Sequence, residues 1–177
     1  MMAETEIPRF VTFTGARMAI EGPQIRVGDA APGFSLVNGK LEAVSLNDFQ
    51  GRILLLAAVP SLDTGVCDME TRRFEKAVAE LDDRIAYVTV SMDLPFAQAR
   101  WCGAAEAHRV VTLSDYKHHL FGKDYGVYIP ELGLLARSVF VIDAKGVVRY
   151  VEIVPEVTHE PNYDAALNKA KELAAAL

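Results

Sequence analysis

Several common classes of protein are marked by features that this sequence lacks. Only two cysteines, Cys67 and Cys102, occur in 177 residues, too few for the disulfide framework that staples small secreted domains. Basic residues are in deficit. Eighteen Lys and Arg stand against 24 Asp and Glu, a formal charge of -6, which leaves no electrostatic footprint for a nucleic-acid backbone or an anionic membrane. Long apolar runs are missing as well. The longest, Ile53 to Val59, falls far short of the roughly 20 residues that a membrane-crossing helix needs. Met1 to Arg9 lacks the charged-then-apolar order of a secretory leader, so a cytoplasmic chain is expected. No internal repeat, Ser/Gly linker or charge block divides the sequence. What is present is a globular composition, 51% hydrophobic and 24% charged, consistent with one domain over residues 1–177.

Periodicity supplies the elements. Val11 and Phe13 alternate before Thr14-Gly15-Ala16, and Met18 and Ile20 alternate after it, which predicts a β-hairpin over residues 9–22. Ile53 to Val59 is apolar on both faces between Gly51 and Pro60, the pattern of a central strand. From Cys67 onward Phe74, Ala77, Val78 and Leu81 fall on one helical stripe, with Asp68, Arg72, Glu75, Lys76 and Glu80 off it. Ile85 to Val90 reads as a second buried strand, so the intervening helix implies a right-handed crossover and parallel pairing. Pro95 can open a helix carrying Phe96, Ala99 and Cys102, and a further helix is expected from about Ser114 to Gly122. Ser138–Ile142 and Val147–Val154 flank Asp143–Gly146 as an antiparallel hairpin. Pro161-Asn162 starts a last helix striped by Tyr163, Ala166, Leu167, Ala170 and Leu173. That order is the α/β order of a thioredoxin-like domain, a central mixed sheet flanked by helices. Fold alone does not assign function.

The chemistry points to the segment Pro60-Ser61-Leu62-Asp63-Thr64-Gly65-Val66-Cys67. It leaves the carboxyl end of the first central strand and enters a helix, where ligands bind in sheets of this kind. A thiol in a first turn faces unpaired N–H groups and the positive end of the helix dipole, which favour thiolate over thiol. Thr64 stands three residues earlier, where a Cys-x-x-Cys motif would carry its first cysteine, so a local dithiol is excluded. Its hydroxyl can cap the helix, donate to a thiolate or bound oxygen, or do both. Taken alone, Cys102 is an ordinary core cysteine in an Ala-rich helical stretch, Arg137 a surface arginine at a strand entrance, and Pro60 a strand stop. Asp68 places a negative charge beside the thiol.

Pro60-x-x-x-Thr64-x-x-Cys67 resembles the signature of the peroxiredoxins. Together with Asp93-Leu-Pro-Phe-Ala-Gln-Ala-Arg-Trp-Cys102-Gly103, and with Leu135-Ala136-Arg137 before a strand, it resembles the thiol peroxidases among the atypical two-cysteine peroxiredoxins over nearly the whole chain. The resemblance implies that Cys67 is a peroxidatic cysteine that attacks the O–O bond and becomes a sulfenic acid. It implies that Arg137 holds thiolate and peroxide oxygens, and that Pro60 shields the reacting oxygen from water. Cys102 becomes the resolving cysteine, which closes an intrachain disulfide that thioredoxin reduces. Disulfide Cα atoms lie within about 7 Å, so two helical cysteines would require a helix end to unwind. Hydrogen peroxide and alkyl or lipid hydroperoxides are the implied substrates, and a homodimer the implied assembly, with no cofactor. Leu62, Phe96, Trp101 and Ile129 are candidates for an apolar surface beside the site, with core packing the alternative for each. A redox-responsive binding protein with the same cysteine pair is the competing reading; Thr64, Arg137 and Pro60 favour turnover because a sensor has no need of them. His108, His118, His119 and His159 lack metal-ligand spacing, and Asp93 reads as a cap or turn residue.

Overall fold

The computed structural model describes residues 9–177, and the expectation drawn from residues 1–8 lies outside them. Strands β1 (Arg9–Phe13) and β2 (Ala16–Ile20) form the expected antiparallel hairpin. Thr14 and Gly15, both at positive φ, make its two-residue turn, a backbone that matches the right-handed twist of the flanking strands. Short strands β3 (Ser35–Val37) and β4 (Ala43–Ser45) precede the central β5 (Ile53–Ala58). Helix α1 (Gly65–Ala79), strand β6 (Ile85–Ser91) and helix α2 (Pro95–Ala105) follow. Then come strand β7 (Val110–Ser114), helix α3 (Leu120–Asp124) and the small pair β8 (Tyr128–Ile129) and β9 (Leu134–Leu135). Strands β10 (Ser138–Ile142) and β11 (Val148–Ile153) and helix α4 (Tyr163–Ala175) complete the chain.

One seven-stranded sheet runs in the order β11-β10-β5-β6-β7-β3-β4. β5, β6 and β7 are parallel, as the crossover argument requires for the first two, whereas β10 joins β5 antiparallel and turns back on β11. Every residue of β5 is buried because each face of the sheet has its own cover. Leu55 and Ala57 pack under Phe74 and Val78 of α1, Trp101 of α2 and Tyr163, Ala166 and Ala170 of α4. Leu54, Leu56 and Ala58 pack under Phe34, Phe121, Tyr125 and the hairpin residues Val11 and Ile20. Fully burying one such side chain, Phe74 for instance, stabilises by about 1.5–3 kcal/mol.

Two expectations are corrected. The segment read as helix from about Ser114 begins only at Leu120, and the five residues up to Ser114 are a strand missed from the pattern. Val110, Val111 and Thr112 are β-branched and suit a pleated surface. The buried Asp115 carboxylate accepts the N–H groups of Phe121 and Gly122 at 3.1 and 3.0 Å, which delays the helix to that point. In α2 the inward face is Pro95, Gln98 and Trp101, while Phe96 and Ala99 are exposed and Cys102 is half-buried. Gln98 is inside because its amide donates to Ser91 Oγ and Leu113 O at 2.9 and 2.8 Å.

The hairpin is sewn to the chain that leaves β11. Thr12 N–H donates to Pro155 O at 2.7 Å and Thr12 O accepts from Val157 N–H at 2.8 Å. Glu156 accepts from Thr12 Oγ1 and Gly15 N–H at 3.1 and 2.8 Å. Residue 157 is thereby held in place for the site below.

Candidate active site

The chain leaves β5 through buried Pro60 and enters α1 at Gly65, two residues before Cys67, with Thr64 at the N-cap in extended conformation. Thr64 O accepts the N–H of Asp68 at 2.9 Å, while its hydroxyl donates to Ser61 O at 3.0 Å rather than capping the helix or reaching the thiol. Asp93, on the turn between β6 and α2, holds this loop. Its carboxylate accepts from Ser61 Oγ at 2.6 Å, Leu62 N–H at 2.9 Å and Ser91 Oγ at 2.7 Å, and its carbonyl accepts from Ser114 Oγ. The expected turn residue is therefore also the tether between the loop before α1 and the start of α2.

Cys67 lies in the first turn of α1, fully buried. Arg137, between β9 and β10 and 1% exposed, aims Nη2 at its sulfur from 3.2 Å. The other two nitrogens are occupied: Nε donates to Val157 O at 2.8 Å and Nη1 to Glu70 Oε2 at 2.5 Å. Sequence separation is 70 residues between arginine and cysteine, yet the guanidinium plane is fixed by three acceptors. Burial pulls the Arg137 pKa down, but Glu70 and the Cys67 sulfur beside it more than offset that, and the net direction is upward. Arg137 is a cation at any working pH.

Glu70 escaped the sequence reading. It is fully buried, one helical turn from Cys67, and desolvation pushes its carboxyl up to about 7 despite the opposing pull of Arg137. Its Oε1 atom has no hydrogen-bond partner among the described residues. The signal was available: Cys67, Glu70, Phe74 and Val78 fall on one inward stripe, and a carboxylate on such a stripe needs a buried partner.

Cys102 is half-buried on α2 and its sulfur meets Thr112 Oγ1 on β7 at 3.5 Å. Burial pushes this thiol up, and the Glu75 carboxylate adds to the effect against the Thr112 hydrogen bond. Neither cysteine is in a disulfide, and both sit on helices of the same sheet face. Asp68 turns its charge away from the neighbouring sulfur, toward Arg72 Nε at 2.9 Å and Trp101 Nε1 at 2.7 Å. Of the four residues expected to offer apolar surface, Leu62, Trp101 and Ile129 are buried in the core, with Ile129 on the opposite sheet face. Phe96 alone is exposed, at 65%. Among the described residues no group of three or more His, Cys, Asp or Glu could hold a metal ion, and no helix is long and apolar enough to cross a membrane.

A buried thiol in a helix's first turn, with an immobilised guanidinium on its sulfur, is a site for breaking a bond to an electrophilic atom. The whole chain is similar to known proteins. The Redoxin family model matches residues 26–167. Thiol peroxidases from Bacillus subtilis and Streptococcus pneumoniae are each 50% identical over 163 residues, covering 92% of this chain and 97% and 99% of theirs. The crystal structure of a peroxiredoxin-like protein from Aquifex aeolicus superimposes with a TM-score of 0.88 at 42% identity, covering 93% of this chain and 97% of that one. The chain belongs to the redoxin family, in its thiol peroxidase group.

Proposed function

We propose that this thiol-dependent peroxidase reduces hydroperoxides at Cys67 and recycles through Cys102. The carrying observation is the 3.2 Å approach of Arg137 Nη2 to the Cys67 sulfur. In the first step the thiolate and R–O–O–H give Cys67–S–OH and R–O⁻, which takes a proton to become R–OH. Charge leaves sulfur and appears on the departing oxygen. Arg137 serves both ends of that shift without reorganising, because Val157 and Glu70 hold its plane. The Thr64 hydroxyl donates to the Ser61 carbonyl, so its oxygen is left with lone pairs to offer the peroxide O–H. Pro60 adds no N–H donor and keeps water from the reacting oxygen.

In the second step Cys102–SH attacks Cys67–S–OH, forming the S–S bond and releasing water. A dithiol of the thioredoxin type then gives two electrons and two protons, restoring both thiols and leaving as its own disulfide. Substrates are hydrogen peroxide and alkyl or lipid hydroperoxides. Residues 1–177 act as one domain, in the cytoplasm and as a homodimer.

Single-turnover stopped-flow with hydrogen peroxide and cumene hydroperoxide, followed by Trp101 fluorescence, tests the reading. Cys67→Ser abolishes the reaction, and Cys102→Ser permits one turnover but no recycling with thioredoxin. Wild-type peroxide reduction by Cys67→Ser would remove the assignment.

A further inference from the structure

The two cysteines sit on helices that three carboxylates join, and only one of the three joints lies beside both sulfurs. Asp93 holds the loop before α1 to the start of α2. Glu75, in the second half of α1, accepts the N–H groups of His108, Arg109 and Val110, each at 2.7 Å, and so holds the chain that leaves α2. Between these anchors, Asp68 next to Cys67 accepts the indole N–H of Trp101 next to Cys102 at 2.7 Å. Arg72 completes the joint, with its Nε on Asp68 at 2.9 Å and its guanidinium 5.6 Å from the centre of the Trp101 ring.

The joint fixes which way Cys102 faces. Successive side chains on a helix point about 100° apart, so seating the Trp101 indole against α1 turns Cys102 toward β7. There its sulfur meets Thr112 at 3.5 Å. A disulfide needs that sulfur about 2 Å from the sulfur of Cys67, which Arg137 and the surrounding core enclose. The turn of α2 that carries Trp101 and Cys102 is also the one least able to hold itself. Gly103 lowers its helix propensity by about 1 kcal/mol relative to Ala. Its C-cap Glu106 has φ +53°, a left-handed conformation that a residue with a Cβ adopts at a cost.

We infer that the Asp68–Trp101 hydrogen bond is a latch that holds Cys102 away from Cys67 until the sulfenic acid has formed, with Asp68 as a positioning residue that sets the rate of disulfide closure. This inference rests on the peroxidase cycle proposed above and assigns the gate within it. With the latch shut, Cys102 stays against Thr112, while Arg137 and the core hold Cys67 in the first turn of α1, the arrangement that peroxide requires. With it open, the last turn of α2 unwinds around Gly103, Cys102 leaves Thr112 and attacks Cys67–S–OH, and one water is lost as the S–S bond forms. Leaving its half-buried seat also relieves the desolvation that pushes the Cys102 thiol up, so the attacking sulfur is more readily ionised once released. A slow latch has a consequence for damage. The longer the sulfenic acid waits, the more often a second peroxide converts it to sulfinic acid.

The test compares Trp101→Phe, Asp68→Ala, Asp68→Asn and the Trp101→Phe/Asp68→Ala double variant in the full chain at pH 8. Phenylalanine keeps the packed ring and loses only the N–H. Rapid quenching with a sulfenic-acid trap and a thiol alkylator, read by intact mass, separates formation of Cys67–S–OH from its conversion to disulfide. We expect sulfenic acid to form at the wild-type rate within about twofold. We expect closure about tenfold faster in Trp101→Phe and in Asp68→Ala, about 1.4 kcal/mol off its barrier. The double variant closes no faster than either single one, because both remove the same bond. Asp68→Asn, which keeps an acceptor oxygen, recovers part of the delay. The peroxide concentration that gives half-maximal sulfinic acid rises in proportion to the closure rate. Closure at the wild-type rate in Trp101→Phe, or an accelerating effect of the two substitutions that multiplies to about 100-fold, overturns the latch. If wild-type Cys67 forms no sulfenic acid at all, the peroxidase reading falls and the latch with it; normal sulfenic acid with unchanged closure sinks the latch alone.

Discussion

Replacing Arg137 by Lys separates geometry from charge at this site. Three guanidinium nitrogens hold three different acceptors, Val157 O at 2.8 Å, Glu70 Oε2 at 2.5 Å and Cys67 Sγ at 3.2 Å. A lysine brings one nitrogen, compact and strongly hydrated, that cannot occupy three corners of a plane. Geometry decides where it settles. The Val157 carbonyl and the buried Glu70 carboxyl, whose Oε1 is unpartnered among the described residues, both accept from it, so its one nitrogen cannot also stay aimed at the sulfur. Loss of one aimed donor at a reacting centre costs about 10²–10³ in rate, about 2.7–4 kcal/mol. Some of that returns because the positive charge stays in the pocket. Peroxide reduction should therefore slow by about 30–100-fold in Arg137→Lys and by about 10³ in Arg137→Ala. Stability follows a different rule. Removing one partner of a buried ion pair costs about 3–5 kcal/mol when the other stays charged. Glu70, however, takes up a proton at about pH 7 even with Arg137 present, so in Arg137→Ala it becomes neutral. The expected loss is then about 1–3 kcal/mol, from the Val157 carbonyl left without a donor and the space vacated. Single-turnover stopped-flow with hydrogen peroxide and urea denaturation at pH 7 measure the two effects. An Arg137→Lys protein that reduces peroxide within threefold of wild type would refute the reasoning, since a nearby positive charge would then suffice.

Glu70→Gln should change how stability depends on pH. Because the native carboxyl ionises at about 7 and the unfolded one near 4.5, the native state binds the extra proton between those values. The stability that Glu70 contributes is therefore greatest below pH 4.5 and declines as pH rises to about 7, by at most about 3 kcal/mol. The variant lacks that decline, and equal wild-type and variant slopes in urea titrations between pH 5 and 8 count against it. Glu156 has the opposite sign: hydrogen bonds, first from the Thr158 side chain and then from the backbone of Thr158 and Gly15, hold its carboxyl down at about 2. The stability that they contribute is present above pH 4.5 and is lost as pH falls toward 2. Glu156→Gln should flatten this acid limb and, by loosening the hairpin that presents Val157 to Arg137, slow peroxide reduction severalfold. An unchanged single-turnover rate would show that Arg137 needs no support from the hairpin.

The elements with one clear period were legible in the sequence, and so was the hairpin at residues 9–22. Ile53 to Val59 reads as central because both faces are apolar, and the sheet covers both faces of β5 with separate clusters. Where one residue's side chain overrides its neighbours' pattern, reading failed. β7 was hidden beside a helix whose start at Leu120 is set by Asp115, five residues upstream, through a side-chain contact that no local propensity reveals. The inward face of α2 was misplaced for a similar reason. Its buried polar Gln98 is satisfied by Ser91 and Leu113, so apolarity alone points to Phe96 instead. At the site, Cys67, Thr64 and Pro60 lie in one short segment, and the signature could be read directly. Glu70 could not be read that way, because a carboxylate becomes part of such a site only when a distant chain segment, here Arg137, supplies the charge that lets it stay inside.

That pairing sets up a last prediction about protons. Once Cys67 is ionised, the buried centre holds two acidic groups and one cation, and an anion beside Glu70 makes its ionisation harder. With Cys67 as the thiolate that attacks, Glu70 is therefore protonated and Arg137 a cation. Attack on the peroxide moves the negative charge from sulfur to the departing alkoxide. With sulfur now neutral, the Arg137 ion pair favours Glu70 as carboxylate, and the proton that Glu70 gives up equals the one the alkoxide needs to become an alcohol. The protein's net charge stays constant through the step, which matters where moving a charge into a buried site is costly. A reduced-minus-sulfenic infrared difference spectrum of Cys102→Ser at pH 7 should show a buried protonated carboxyl band disappear and a carboxylate band appear, both absent in the Glu70→Gln/Cys102→Ser protein. If the band is unchanged by oxidation of Cys67, Glu70 and the sulfur do not share the cation, and Glu70 is there only to hold Arg137 in place.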